Sequence, residues 1–140
     1  MGLPPVRSGL DAALRAARDG ANVIIAAKTA EPHPKLPGTI YTAAGEIETA
    51  GGHALAVPTD IRLDDQVAAA VSMGVERFGG IDVLVNNAGI WKGSPVDEMS
   101  DGEWEEMLAI NLTGAFNAIR AAVPPMKAAR SGRIVNVAST

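Results

Sequence analysis

Four short apolar runs, rich in β-branched residues and alanine, recur along the chain. They are Asn22–Ala27, His53–Pro58, Ile81–Asn86 and Arg133–Ala138. Their nearly continuous apolar character is typical of strands that are buried on both faces of a parallel sheet. The pattern therefore predicts four parallel strands.

Helices are predicted between these runs, because apolar residues recur there at steps of three and four. The predicted helices are Leu10–Arg18, Tyr41–Thr49, Leu63–Phe78 and a long stretch from Ser100 to Arg130. Ser100 and Glu103 have the spacing of a capping box at the start of the long helix. Pro124 and Pro125 are expected to break or kink it near its end.

The alternation of helix and strand predicts an α/β fold. The expected architecture is an incomplete doubly wound parallel sheet, Rossmann-like, with about four strands and helices on both faces. Its 140 residues fit a single domain, residues 1–140. Such sheets bind ligands at the carboxyl ends of their strands, so the residues that follow each run are the candidates for function.

Composition excludes several classes of partner. Twelve Lys and Arg against 16 Asp and Glu give a net charge of −4, the wrong sign for a nucleic-acid binder. The absence of cysteine excludes disulfides and thiolate sites and suits the reducing cytoplasm. No apolar run approaches the ~18 residues of a membrane span, and neither histidine has partners at metal-ligand spacing. We therefore expect a cytoplasmic protein with no nucleic-acid, membrane or metal partner.

The third run ends at Asn86 and is followed by Asn87, Ala88 and Gly89. Small residues at the end of a strand allow a flat ligand to lie against the backbone, and the amides offer hydrogen bonds. An ordinary turn is the alternative, because Asn, Ala and Gly are all accepted in turns.

Two further motifs follow this one in order. I-N-L-T-G begins at Ile110, and G-R-I-V-N-V-A-S begins at Gly132. Together with D-V-L-V-N-N-A-G, they resemble the short-chain dehydrogenase/reductase family, over roughly residues 9–140. Residues 14–52 resemble its hydroxysteroid-dehydrogenase-like branch. Residues 86–139 are more similar to bacterial 3-ketoacyl carrier-protein reductases and 3-hydroxybutyrate dehydrogenases.

The resemblance implies hydride transfer between NADP(H) and a carbonyl or secondary alcohol of a small molecule. It places Asn87, Ala88 and Gly89 on the adenosine side of the cofactor. Asp60 would bind the adenine amino group, although it could equally be the N-cap of the following helix.

Asn111 and Ser139 fall on catalytic positions of the family. The resemblance implies that Asn111 lies where the helix backbone deforms and holds a water of the proton relay. It implies that the Ser139 hydroxyl binds the substrate carbonyl. The alternatives are a solvent-facing helix residue for Asn111 and a loop residue for Ser139.

Ala27 and Lys28 bear on the choice of cofactor. NAD-specific relatives carry an acid at the end of this strand, where this chain has Ala27 followed by the cation Lys28. The absent carboxylate and the cation favour NADP, although NAD is possible and Lys28 could be a solvated loop residue.

The chain departs from the family at both ends. Leu3 and Arg7 stand at two of the three positions of the pyrophosphate-binding glycines, and only Gly9 remains. No Tyr-x-x-x-Lys follows Ser139, and the only tyrosine, Tyr41, is in another helix. We expect a truncated chain that is inactive alone. The alternative is a non-catalytic α/β remnant that binds a nucleotide or pairs with an intact relative.

The stretch Leu112–Arg130 is a candidate subunit interface. It carries Phe116 and the small residues Ala115, Ala118 and Ala122, which would allow close approach of a second helix. The resemblance implies pairing through this helix and therefore a homo-oligomer.

Overall fold

The computed structural model describes residues 8–32 and 38–138, which form five α-helices, a π-helical segment and four strands. The helices are α1 (Ser8–Arg18), α2 (Ile40–Thr49), α3 (Asp64–Phe78), α4 (Asp101–Leu108) and α5 (Gly114–Ala129). The strands are β1 (Asn22–Ala27), β2 (His53–Pro58), β3 (Val83–Asn86) and β4 (Arg133–Asn136). The predicted alternation of helix and strand is confirmed, with β3 and β4 shorter than expected.

The strands pair in parallel, as predicted. β1 pairs with β2 in register from Asn22 opposite His53 to Ala27 opposite Pro58. β3 pairs with β4 from Val83 opposite Arg133 to Asn86 opposite Asn136. The described strands therefore form two parallel pairs, each joined through helices, and the fold is α/β of the Rossmann type.

Contacts group the chain into two compact units that divide after Pro58. In the first unit, α1 and α2 contact each other and both contact β1. Its core includes Ile47, which is fully buried, and Ala17. A Cβ on Gly52 would lie 2.7 Å from the Ala17 Cβ, so the helix-to-strand turn here requires glycine.

The second unit contains α3, α4, the π-helical segment, α5, β3 and β4. α5 packs against α3 and against β3. Its core includes Val67 and Ala70 of α3 and Ala122 and Met126 of α5. Thr59 and Asn117 are its buried polar residues among those that the structure describes.

The predicted long helix has three parts. α4 begins at the expected capping box, with Ser100 and Glu103 bonded reciprocally. The π-helical segment Ala109–Thr113 then separates α4 from α5.

Of the two effects expected of the prolines, the break is wrong, because α5 continues through Pro124 and Pro125 to Ala129. The kink stays a prediction. Ala122 and Met126 are buried on either side of the prolines. Their packing offsets the cost of about 3 kcal/mol that an interior proline imposes. Because Ala122 is fully buried within its own unit, it is not available to a partner subunit, contrary to expectation.

The expectation that the strands are buried on both faces is wrong: no residue of β1 is buried, and Val57 is the one buried residue of β2. Every residue of β4 is exposed, and Val83 and Val85 of β3 expose 55% and 46% of their surface. The sheet of β3 and β4 has only two strands, so each of them has an outer edge without a neighbouring strand in that sheet. No helix in the described parts of the chain is long and apolar enough to cross a membrane.

Candidate functional site

Asn111 lies in the middle of the π-helical segment Ala109–Thr113. The Gly114 N–H donates to the carbonyl of Ala109, five residues back, where an α-helix would pair it with Ile110. A π turn adds a residue without adding a bond to the helical ladder, so it releases a backbone carbonyl from that ladder. Such segments are frequently found at functional sites. The helix backbone thus deforms at Asn111, as the resemblance implies.

The Asn111 side chain is held by the loop that follows β3. Its Oδ1 accepts the backbone N–H of Ile90 at 2.8 Å, and its Nδ2 donates to the Ile90 carbonyl at 2.8 Å. A Cβ on the neighbouring Gly89 would lie 3.3 Å from Oδ1, so glycine allows the loop to approach this closely. The structure therefore brings Gly89 and Asn111 together and fixes the orientation of the amide.

A hydrogen bond between two asparagine side chains joins the ends of β3 and β4. The Asn86 Nδ2 donates to the Asn136 Oδ1 at 2.9 Å, between two residues in register. The Val137 N–H continues the ladder to the Asn86 carbonyl at 2.9 Å. These bonds fix the point at which the loop that carries Asn87 leaves β3. The sequence did not identify the pair, although an asparagine ends both strands.

Asn87, Ala88 and Gly89 are exposed at the carboxyl end of β3. They follow the paired Asn86 directly and precede Ile90, which binds Asn111. The short segment is therefore anchored at both ends, while its surface remains accessible to a ligand.

Asp60 follows β2 and does not cap the next helix, because α3 begins at Asp64 with Leu63 as its N-cap. The Asp60 carboxylate instead accepts the Arg62 backbone N–H at 3.1 Å and the Arg62 Nε–H at 2.9 Å, with a further contact to Nη2. The hydrogen bond to Asp60 raises the pKa of Arg62 above its ordinary value. The N-cap alternative is therefore wrong, and Arg62 is a partner that the sequence did not reveal.

The segment between β3 and α4 is tied to α4 by two acids. Glu103 accepts the Ser94 hydroxyl at 2.8 Å and the Ser100 backbone N–H at 3.0 Å. The backbone bond from Ser100 is the main cause that lowers the pKa of Glu103, with the bond from Ser94 next. Lys92 pairs with Glu106 at 2.9 Å, and this hydrogen bond raises the pKa of Lys92.

Gly9 and Lys28 lie in the first unit. Gly9 is the second residue of α1, and Lys28 directly follows β1 with its side chain exposed. The chain reverses between α1 and β1 through Gly20, whose φ is +92°. The start of α1 and the end of β1 therefore lie at the same end of this unit.

Ser139, the other predicted catalytic residue, lies outside the described residues, as do Leu3 and Arg7. Across residues 8–32 and 38–138, no cluster of three or more His, Asp or Glu is placed to hold a metal ion.

Comparison with known proteins agrees with this geometry. The family model for short chain dehydrogenases matches residues 8–140. Hydroxysteroid dehydrogenase-like protein 2 of Xenopus laevis is 50% identical over 125 residues, which are 89% of this chain and 30% of that protein. The human protein of the same name is 46% identical over the same shares. The chain thus spans less than a third of the length of these relatives.

Solved structures give the same result. A short chain dehydrogenase from Mycobacterium thermoresistibile has a TM-score of 0.89 at 48% identity, covering 94% of this chain and 47% of that one. A 3-ketoacyl-ACP reductase from Sinorhizobium meliloti has a TM-score of 0.81 at 35% identity, covering 94% and 50%. A metagenomic short-chain oxidoreductase in complex with NADP has a TM-score of 0.83 at 34% identity, covering 94% and 57%. The chain belongs to the short-chain dehydrogenase family.

Proposed function

We propose that this chain supplies the nucleotide-binding residues and part of the catalytic set of an oxidoreductase. The reaction is hydride transfer between NADP(H) and a carbonyl or secondary alcohol. The observation that carries the proposal is the π-helical segment, in which Asn111 is fixed beside Gly89 by two hydrogen bonds to Ile90. Membership of the family supports the reaction class.

Each unit, taken by itself, has residues that suit part of a dinucleotide. Gly89 leaves room for close approach at the carboxyl end of β3, with Asn87 and Ala88 exposed beside it. Gly9 lies in the first turn of α1, where helical N–H groups favour an anionic phosphate. When bound, the nicotinamide would supply or accept the hydride.

The proposed preference for NADP depends on Ala27 and Lys28. A carboxylate at the end of β1 would bind the ribose hydroxyls and repel a 2′-phosphate, and Ala27 provides none. The exposed Lys28 cation directly follows and suits the phosphate. The solved relative in complex with NADP is compatible with this choice.

We propose that Asn111 acts in catalysis by supporting the deformed helix backbone around it. Both polar atoms of its side chain are already bonded to Ile90, so the amide acts as a fixed support. The backbone carbonyl that the π turn leaves without a partner in the helical ladder would accept a hydrogen bond from a water molecule of the proton relay. Ser139 donates its hydroxyl to the substrate oxygen, on which negative charge develops.

The proton donor is the group that these residues do not supply. The 140 residues contain one tyrosine, Tyr41, and Gly45 stands four residues later where Tyr-x-x-x-Lys would need lysine. A positioned general acid contributes about 10²–10⁴-fold to the rate. We therefore expect no measurable turnover from a polypeptide of these 140 residues alone.

The partner of the chain is proposed to be a second copy, which contacts it through α4, the π-helical segment and α5. Four large apolar side chains are exposed there at intervals of four residues: Trp104, Leu108, Leu112 and Phe116. Their exposed fractions are 55%, 39%, 64% and 55%, respectively. The absence of cysteine suits the cytoplasm as the proposed location.

The test is an assay of a longer protein, in which a related enzyme supplies a glycine-rich loop before residue 8 and Tyr-x-x-x-Lys after residue 140. We expect NADPH-dependent reduction of carbonyl compounds. Asn111→Ala should lower kcat by about tenfold or more, because the π turn loses its support. Val96→Ala, at an exposed loop position, is the matched control and should leave kcat unchanged.

Activity that survives in both Asn111→Ala and Ser139→Ala would overturn the proposal. Tight nucleotide binding without turnover in the longer protein would instead favour the non-catalytic remnant.

A further inference from the structure

Asn117 is a buried amide with one hydrogen bond that leads away from its own helix. Only 4% of its surface is exposed, in the second turn of α5. Its Nδ2 donates to the carbonyl of Ile61 at 2.9 Å, and its Oδ1 accepts from Arg120 Nη2 at 3.0 Å. Asparagine is a poor helix former, and a buried amide is costly unless it is bonded. The position therefore favours asparagine for its contact with Ile61.

The Ile61 side chain is held by the same helix. A Cβ on Gly114, the first residue of α5, would lie 2.5 Å from the Ile61 Cδ1 and 2.8 Å from its Cγ1. Glycine at this position thus lets Ile61 lie directly on the helix backbone, immediately after the π-helical segment. α5 contacts both the backbone and the side chain of Ile61.

The residues on either side of Ile61 are also fixed. Thr59 is buried, and the Asp60 N–H donates to Gln66 Oε1 at 2.8 Å. The Leu63 N–H donates to the Asp60 carbonyl at 3.0 Å. Arg62 holds the Asp60 carboxylate through its backbone N–H and its guanidinium. Residues 59–63 thus form a short loop whose shape is set before any ligand arrives; we call it the Asp60 loop.

We infer that Asn117 is a positioning residue for adenine recognition, which it supports by holding the Asp60 loop through the Ile61 carbonyl. This inference rests on the proposed function and on the role that the family resemblance implies for Asp60, whose carboxylate would accept a hydrogen bond from the adenine amino group. A carboxylate oxygen has more than one lone pair, so Asp60 can accept this bond while it is paired with Arg62. Fixing the loop in advance removes the ordering cost from binding.

The test uses the chain itself, with AMP as the probe of the adenosine half and IMP as its control. IMP carries an oxygen where AMP carries the amino group, so it offers Asp60 no donor at that position, and its remaining donor on the ring edge is the N1–H. Chemical-shift titrations should show tighter binding of AMP than of IMP. The shifts should include the Asp60, Ile61 and Arg62 amides and the Asn117 side-chain amide.

Two variants separate positioning from general packing. Asn117→Asp keeps an acceptor for Arg120 but removes the donor to Ile61. It should weaken AMP binding about tenfold, leave IMP binding unchanged, and speed hydrogen exchange of the Arg62 and Leu63 amides. Arg120→Gln removes the other partner of Asn117 and should leave the preference for AMP intact.

The outcomes distinguish failure of the adenine role of Asp60 from failure of the positioning role of Asn117. A wild-type chain that binds AMP no better than IMP would overturn the adenine role of Asp60, and the inference with it. A wild-type preference for AMP that is retained in Asn117→Asp would overturn the inference alone. If Asn117→Asp does not fold, the wild-type titration still decides: an Asn117 side-chain amide that does not respond to AMP contradicts the inference.

Discussion

At the scale of single residues, Asn111 and Asp60 are each held by a partner, Ile90 for Asn111 and Arg62 for Asp60. Asn111 was identified from its motif, and the deformation of the helix around it was expected. Its two bonds to Ile90 were not, because they join residues 21 positions apart and depend on the approach of a loop to a helix. The Asp60–Arg62 pair was missed although its members are two residues apart, because an aspartate before a helix is usually an N-cap.

Lys28 gives the prediction that belongs to this scale. Lys28→Ala in the longer protein should weaken NADP binding by more than tenfold, about 1.4 kcal/mol or more, because a charge-assisted contact with the 2′-phosphate is lost. NAD binding should not change, since NAD lacks that phosphate. Fluorescence titration with both dinucleotides provides the measurement. Equal affinities of the unmutated protein for NADP and NAD would contradict the assignment.

At the scale of elements, the strands were the most predictable part of the chain. β1 and β2 begin and end at the predicted residues. Their starts were predictable because Gly20 and Gly51, both with positive φ, lie in the turns that precede the strands. The long helix was less predictable. Its deformation at Asn111 was expected from the motif, but the continuation of α5 through Pro124 and Pro125 was not.

Gly114 tests how closely α5 approaches the Asp60 loop. Gly114→Ala should destabilise the protein by about 1–3 kcal/mol, because the added methyl overlaps Ile61 and outweighs the gain in helix propensity. Gly102→Ala in α4 is the matched control, since a Cβ there meets open space, and it should be neutral or slightly stabilising. Urea unfolding measures both variants. A Gly114→Ala protein as stable as the wild type would show that this approach is not tight.

Glu103 gives a prediction for pH. Hydrogen bonds from Ser100 and Ser94 lower its pKa in the folded state below the ordinary ~4.3 of glutamate. The ionised carboxylate therefore stabilises the folded state above that ordinary value. This contribution is lost as the pH falls through the lower, folded-state pKa.

The Glu103→Gln variant lacks this titration. Its free energy of unfolding should differ most from that of the wild type near neutral pH, and the difference should shrink below about pH 4. Urea unfolding at a series of pH values measures it. A difference that stays constant down to about pH 2 would argue against an ionised capping box.

At the scale of the whole molecule, the α/β class and the parallel pairing followed from the apolar runs. The exposure of β3 and β4 did not follow from them. An apolar run shows that a strand favours burial, but it does not show whether the rest of the chain buries it. Pairing with a second copy is an expectation at the same scale, since it depends on apolar surface that remains after folding.

Light scattering of the chain tests that pairing. We expect an oligomer at high micromolar concentration, and Phe116→Glu should convert it to monomer by placing a charge in the apolar contact. Val96→Glu introduces the same charge at a loop residue that is 90% exposed and should leave the oligomer intact. A wild-type monomer under these conditions would contradict the proposed interface.

The measurement that tests the central claim most directly is the transfer of deuterium from labelled NADPH by the longer protein. The reduced nicotinamide carries deuterium at the transferred position, and mass spectrometry of the alcohol product shows where the label goes. The account predicts deuterium on the carbinol carbon of the product. It predicts no labelled product from the Ser139→Ala variant of the longer protein, and none from the 140 residues alone. Labelled product from the 140 residues alone that persists in both Ser139→Ala and Asn111→Ala would contradict it.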